Sequence, residues 1–296
     1  MAVRSMTGRS GPLAVLQIGA AALAVMVFAN SAIPEDRDES KTGDADELRE
    51  TARLIQAELP RWKLAMGEQA TELKLNPKPI LRWTNPAAGR MNGEIYLWTA
   101  DGRPEAVMSL YKVWEPALGF AGEFHSLSLT KLVAERDRDV AWKCNKSGIA
   151  LSDVPNAPAV AETAPRRVQQ MRALANDFSA ILIDSRNNPK GESQALRLLA
   201  QPLHRYSSPA GDVVEGALFA FVLGTDVEVF LLLEARGAKG EQRWQYALAR
   251  LNFDELAASF KEKEVWRVGR ANYNDREGPY AFMELSETLP DKANVK

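Results

Sequence analysis

Scarcity sets the first limits on this chain of 296 residues. It holds one cysteine, Cys144, which excludes an intramolecular disulfide and any multi-cysteine metal site. It holds two histidines, His125 and His204, and neither has a second histidine three or four residues away, so no helical zinc motif forms. No metal and no cofactor is expected. With 37 basic and 39 acidic side chains the formal charge is -2, which provides no basic field for a nucleic acid. The motifs of common enzymes are also missing: no nucleophile elbow, no phosphate-binding glycine loop, no dinucleotide fingerprint, no H-E-x-x-H and no calcium loop.

Long hydrophobic runs are scarce too, and the chain has only two. The first follows a basic start, with Arg4 and Arg9 ahead of an apolar stretch from Pro12 to Phe28 and no further charge until Glu35. Small residues then offer a cleavage site after Ser31. Two readings stand for residues 1–31: a cleaved signal peptide, or an uncleaved signal anchor, since the charge-free residues 11–33 are long enough to span a bilayer. Either one exports the rest, to the periplasm or cell envelope, and confines membrane contact to this segment.

The second run is "GALFAFVLGTDVEVFLLLEAR", from Gly216 to Arg236. Gly224-Thr225-Asp226 interrupts it, and Glu228 and Glu234 sit in its second half, so it predicts a buried hairpin of two strands instead of a membrane helix. A third strand follows in "GEQRWQYALARLNF", with Trp244, Tyr246 and Leu248 on one face.

The rest of the exported part divides by pattern. Residues 32–43 read as an acidic flexible linker. Leu48, Ala52, Ile55 and Leu59 predict a helix from about residue 44, stopped by Pro60. From Trp62 to Leu129 short period-two segments predict an antiparallel meander, with Asp101-Gly102 its clearest hairpin turn. Residues 44–155 thus form an N-terminal helix and meander. Residues 156–296 form a second helix plus the central hairpin, the two regions packing as one composite domain. The second helix is predicted over 164–182, with Thr163 as its cap and Met171 and Phe178 on its apolar stripe. A shorter helix is predicted in "ESQALRLLA". The fold class is α+β: antiparallel β-sheets built from meanders and hairpins, with helices packed on a face, after an N-terminal signal or anchor helix.

Several segments together, "LRWTNP", "LWTADGRP", "QMRALA", "GALFAFVLGTD" and "WQYALAR", resemble a family of uncharacterised bacterial exported proteins over most of residues 60–268. The resemblance implies export and a shared fold, and it carries no activity and no site residues.

Candidate site residues are few. In "GEFHSLS" a strand puts Glu123 and His125 on one face and Ser126 on the other, so the three make no local triad, while Glu123 and His125 form a candidate acid–base pair. Seven tryptophans are present, and Arg82-Trp83 and Trp98 with Arg103 are candidate stacking surfaces for a ligand. Cys144, odd in an exported protein, is a candidate for pairing with another chain. The leading functional expectation is a non-catalytic binding or structural module of the cell envelope, with an unknown envelope ligand or protein as partner. The alternative is an envelope hydrolase using Glu123, His125 and Asp226.

Overall fold

Alternating and doubly apolar segments dominate the sequence, and strands dominate the fold. A computed structural model describes residues 37–85, 89–115, 118–183, 193–238 and 240–286. Contacts group Met1–Lys41 into one unit and Thr42–Lys296 into another. In chain order the elements are α1 (Arg37–Glu58), β1 (Trp62–Met66), β2 (Thr71–Glu72), β3 (Lys74–Leu75), β4 (Leu81–Thr84), β5 (Met91–Ala100) and β6 (Arg103–Val113). Then come β7 (Gly119–Ser126), β8 (Leu132–Arg136), β9 (Asp139–Cys144), β10 (Ser152–Asp153), α2 (Ala164–Asn176), β11 (Phe178–Ile183) and β12 (Ser193–Leu198). The last are β13 (His204–Ser208), β14 (Val213–Leu223), β15 (Asp226–Arg236), β16 (Arg243–Arg250), β17 (Glu255–Phe260), β18 (Lys263–Val268) and β19 (Tyr280–Leu285).

The strands form three sheets, ordered β2-β1-β8-β9, β19-β7-β6-β5-β3 with β4 also on β5, and β10-β16-β15-β14-β12-β11-β17-β18 with β13 also on β14. Pairing is antiparallel from the β1 hairpin through the β14–β15–β16 meander. The molecule is therefore mainly antiparallel β-sheet with few helices. β10 joins the sheet of the later strands and β19 joins the sheet of the earlier ones, so the two sequence halves interleave.

Period two in the side chains builds three large cores between these layers, with a small fourth cluster of Ala121, Tyr280 and Phe282. Tyr96 and Trp98 of β5 point into a core shared with α1 and the four-stranded sheet. Ile95 and Leu97 point into a second core, opposite Leu218 and Ala220 of β14 and Phe230 and Leu232 of β15. The third core lies on the far face of the nine-stranded sheet, where Phe219, Leu231 and Leu233 meet Met171 and Leu174 of α2. That sheet is curled. Phe178 of β11 and Tyr246 of β16 lie four strand spacings apart in the order, roughly 19 Å on a flat sheet. Their ring centroids are 5.0 Å apart, so the sheet bends into a half-barrel around the third core.

The predicted hairpin is present. β14 and β15 pair from Val213 to Arg236 about Gly224-Thr225, where Gly224 has φ +64°, a conformation a side chain would strain. The Asp101-Gly102 turn joins β5 and β6, both residues having positive φ as a type I′ turn demands. Trp244, Tyr246 and Leu248 share one face, in the third core.

Four expectations need correction. The helix predicted over 164–182 ends at Asn176, and Phe178–Ile183 is strand β11, because "FSAILI" pairs along its whole length with β17. The helix predicted in "ESQALRLLA" is absent: Ser193–Leu198 is strand β12, paired with β11 and β14. In both places sheet pairing of a short apolar segment outweighs a helical period read over too few residues. The linker is shorter than predicted, since α1 already begins at Arg37, and its buried stripe is Thr51, Leu54, Ile55 and Glu58, continued by Leu59 just past its end, with Leu48 exposed. The meander is split as well: β5, β6 and β7 follow one another in one sheet, but β1 and β2 belong to another. The signal or anchor segment, residues 1–31, lies outside the described residues. Among the described residues no helix is long and apolar enough to cross a membrane.

Leu231 is fully buried in the third core, inside the curl. Leu231→Ala is expected to cost about 2–5 kcal/mol through lost transfer energy and an unfilled cavity. Urea unfolding of the two proteins measures this, and an unchanged midpoint would show that the hairpin is not the centre of the fold.

Candidate functional site

Strand alternation delivers Glu123 and His125 to the face of the six-stranded sheet opposite Phe120 and Phe124, which lie in the first core with α1. β19 lies beside β7 with Tyr280 opposite His125 and Phe282 opposite Glu123. The Tyr280 hydroxyl donates to Glu123 Oε1 at 2.9 Å. Ser126 faces away, and its Oγ accepts from the Ser128 amide at 3.3 Å. The pair is thus brought together without a triad, as the alternation demands.

His125 Nδ1 lies 2.8 Å from the carbonyl oxygen of Ser126. A carbonyl only accepts, so Nδ1 carries the proton and Nε2 keeps its lone pair. Burial pushes the imidazole down to about 4, so it is neutral at neutral pH. The ring stands in the wall of a cavity of about 540 Å³ with Ser147, Ile149, Leu248, Arg250, Trp266 and Tyr280. Arg250 offers that cavity little, because its guanidinium donates to the carbonyls of Asn252, Gly269 and Asp254. The Ser147 hydroxyl is within bonding distance of the carbonyls of Ser128 and Ile149.

Behind Tyr280 the seam turns acidic. Burial, then the Asp226 carboxyl, raises Glu123 to about 8, partly offset by the hydrogen bond from Tyr280. Asp226 and Glu228 are raised too, burial being the main cause for each. Glu228 is 2% exposed, whereas Glu123 and Asp226 keep some contact with water, which tempers their rise. Glu228 arrives by a β-bulge: Phe221 pairs with Val229 but Val222 with Val227, leaving Glu228 unpaired in the ladder. The bulge switches the alternation, so that Val227 faces the same core as Phe230 and Leu232. Sequence reasoning put forward Glu123, His125 and Asp226 but missed Glu228, Tyr280 and Arg250. A lone acid inside "VEVFLLL" was the available sign for Glu228, while Tyr280 is 157 residues from Glu123 and left none.

The proposed stacking residues sit elsewhere and do other work. Trp83 is 4% exposed, with its indole N–H donating to Ser109 Oγ at 3.1 Å and its ring against Tyr111. Trp98 is 1% exposed, in the first core. Neither offers a face to a ligand, since each fills space between layers, and Arg82 pairs with Glu94 at 2.7 Å. Arg103 is buried as a clamp. Its Nε donates to Glu234 Oε1 at 2.8 Å and its Nη1 to Glu105 Oε1 at 3.0 Å and the Leu127 carbonyl at 3.0 Å. Glu234, wholly buried, also accepts from Tyr206 at 2.6 Å and Arg236 at 2.8 Å. Cys144 is buried in the first core, its Sγ 3.2 Å from the Lys146 carbonyl, and burial pushes the thiol up, away from the reactive thiolate. Among the described residues no group of three or more His, Cys, Asp or Glu is placed to hold a metal ion.

No protein-family model matches the chain, and neither a curated protein nor a solved structure does.

Arg103→Ala is expected to cost about 3–5 kcal/mol, because it takes the guanidinium from the buried Glu105 and one of two from the buried Glu234. Denaturant unfolding at neutral pH measures it. A loss near zero would mean that the clamp is replaceable and would return Arg103 to the list of ligand-binding residues.

Proposed function

We propose that this is an exported, non-catalytic binding module of the cell envelope, whose ligand enters the cavity walled by His125. The observation that carries the reading is the uncharged imidazole, with the lone pair of Nε2 left for a hydrogen-bond donor at the wall of a cavity of about 540 Å³. Ile149, Leu248 and Trp266 supply apolar surface around it. Nothing in the wall is arranged as an activated nucleophile, because Ser147 turns to backbone carbonyls and no hydrogen bond joins it to His125 among the described residues. Export follows from the basic start and the charge-free residues 11–33, and the resemblance to uncharacterised exported proteins points the same way. The partner is an envelope ligand or protein, and the membrane is touched only through the N-terminal segment.

One observation favours a second reading, an envelope hydrolase. Glu123, raised to about 8, carries a proton at neutral pH as a general acid must, with Asp226 as a companion carboxyl and His125 as a base.

Two measurements test these readings. A small-molecule library screened by ligand-observed NMR is expected to give binders that His125→Ala loses at an unchanged melting temperature. Turnover of an ester, amide or glycoside that both Glu123→Gln and His125→Ala abolish would replace the module by the hydrolase. Mass spectrometry of the natural protein is expected to find an N-terminus near Ala29–Ala32, or extraction to require detergent. Soluble full-length chain in the cytoplasm would overturn export.

A further inference from the structure

Most of the buried carboxylates in this protein are treated in one way. Glu58, 3% exposed, accepts from Arg61 and Arg136, and Glu234 accepts from Arg103 and Arg236. Each is matched by guanidinium groups. The seam between the six- and nine-stranded sheets breaks this rule. There Glu123 accepts from the Tyr280 hydroxyl, Glu228 from the Asn252 amide and Asp226 from the Asn85 amide at 3.2 Å. The hydrogen bonds to these three carboxyls come from neutral donors, and the three converge from two sheets: Glu123 on β7, Asp226 at the hairpin end and Glu228 on the bulge of β15.

The surrounding groups do not neutralise them. On β6 the facing titratable group is Tyr111, and on β7 it is the neutral His125. On β19 it is Tyr280. On β16 it is Arg250, whose guanidinium nitrogens are bonded to three carbonyls and which lies 5.3 Å from the Tyr280 ring centroid. Beyond β16 stand Asp254, an added acid 3.7 Å from Arg270, and Tyr273. Among the described residues the four acids, Glu123, Asp226, Glu228 and Asp254, outnumber the two cations, Arg250 and Arg270.

We propose that this seam is a proton-controlled joint: with protons on Glu123, Asp226 and Glu228 the two sheets close on one another, and with the carboxyls ionised the sheets loosen from each other at the hairpin end. At the hairpin end the two sheets meet through Val222 and Val227, which share the second core with Trp83 and Ile95, and through polar contacts, one of them made by a titrating group. Thr225 Oγ1 bonds the carbonyl and the amide of Thr84, and the Asn85 amide bonds Asp226 itself. The sign follows from linkage. Glu123 holds its proton up to about 8, above its ordinary 4.5, so its contribution to the closed form is whole below the ordinary carboxyl range and is lost as pH rises through about 8. Asp226 and Glu228 shift in the same direction. His125, lowered to about 4, works oppositely, its contribution being lost as pH falls through about 4. Three carboxyls against one imidazole make acid the tightening condition between about pH 5 and 8.

Hydrogen–deuterium exchange of the purified full chain tests this, at pH 5 and pH 8.5 with rates corrected for the intrinsic chemistry of the amide. Peptides covering 119–126 and 213–236 are expected to exchange about tenfold faster at pH 8.5 for each proton-linked unit lost. Peptides of α1 and the four-stranded sheet stay level. Glu228→Gln, which mimics the protonated acid, is expected to remove a large part of the difference, and Asp226→Asn is the substitute should that variant not fold. Corrected rates that change equally throughout the protein would overturn the joint, as would a Gln or Asn variant that keeps the full pH difference.

Discussion

The structure depends on a hairpin that is apolar on both faces. Along β14 and β15 Phe219, Leu231 and Leu233 point one way and Leu218, Phe230 and Leu232 the other, and all six are essentially buried. A sheet with two apolar faces must be covered twice, since each buried side chain of this size contributes roughly 1.5–3 kcal/mol that exposure would forfeit. One cover is made by the same sheet curling on itself and by α2. The other is the six-stranded sheet, whose own far face is then covered by α1 and the four-stranded sheet. The layers follow from that requirement.

The same hairpin carries acids that the covering puts into the dark, and two of them on β15 are accommodated by opposite means. Glu234 receives guanidinium from a strand of the opposite sheet through Arg103, which makes an ionic clamp between sheets. Glu228, lifted out of the ladder by a bulge, meets an amide and other acids. A charge paired in the interior is stable but fixed, while an acid with neutral partners is comfortable only when protonated. One strand thus joins a permanent tie to a proton-dependent one. The cavity beside His125 shares Tyr280 with the second, so the working face proposed for the module borders on the joint.

Local chemistry was readable where a few neighbouring residues decide. The Asp101-Gly102 turn, the Gly224-Thr225 turn, the shared face of Glu123 and His125, and the shared face of Trp244, Tyr246 and Leu248 all stand as the pattern predicts. Phe178–Ile183 and Ser193–Leu198 were misread as helix because six residues hold too little period to separate the two states, and pairing with distant β17 and β14 decided them. The tryptophans misled for a related reason: a sequence shows how many there are, but exposure depends on which layer covers each strand.

By itself the sequence determined the alternation along each strand, the turns that reverse them and the apolar character that forbids the central hairpin from facing water, because these are set by steric and solvation preferences acting within about ten residues. Tertiary structure alone decided that β19 lies beside β7, that Arg103 meets Glu234 131 residues away and that Glu123 comes near enough to Glu228 to raise it. Those meetings depend on the order in which strands are laid into sheets and sheets onto one another. No local pattern encodes that order, since every apolar strand here has several partners of equal chemistry.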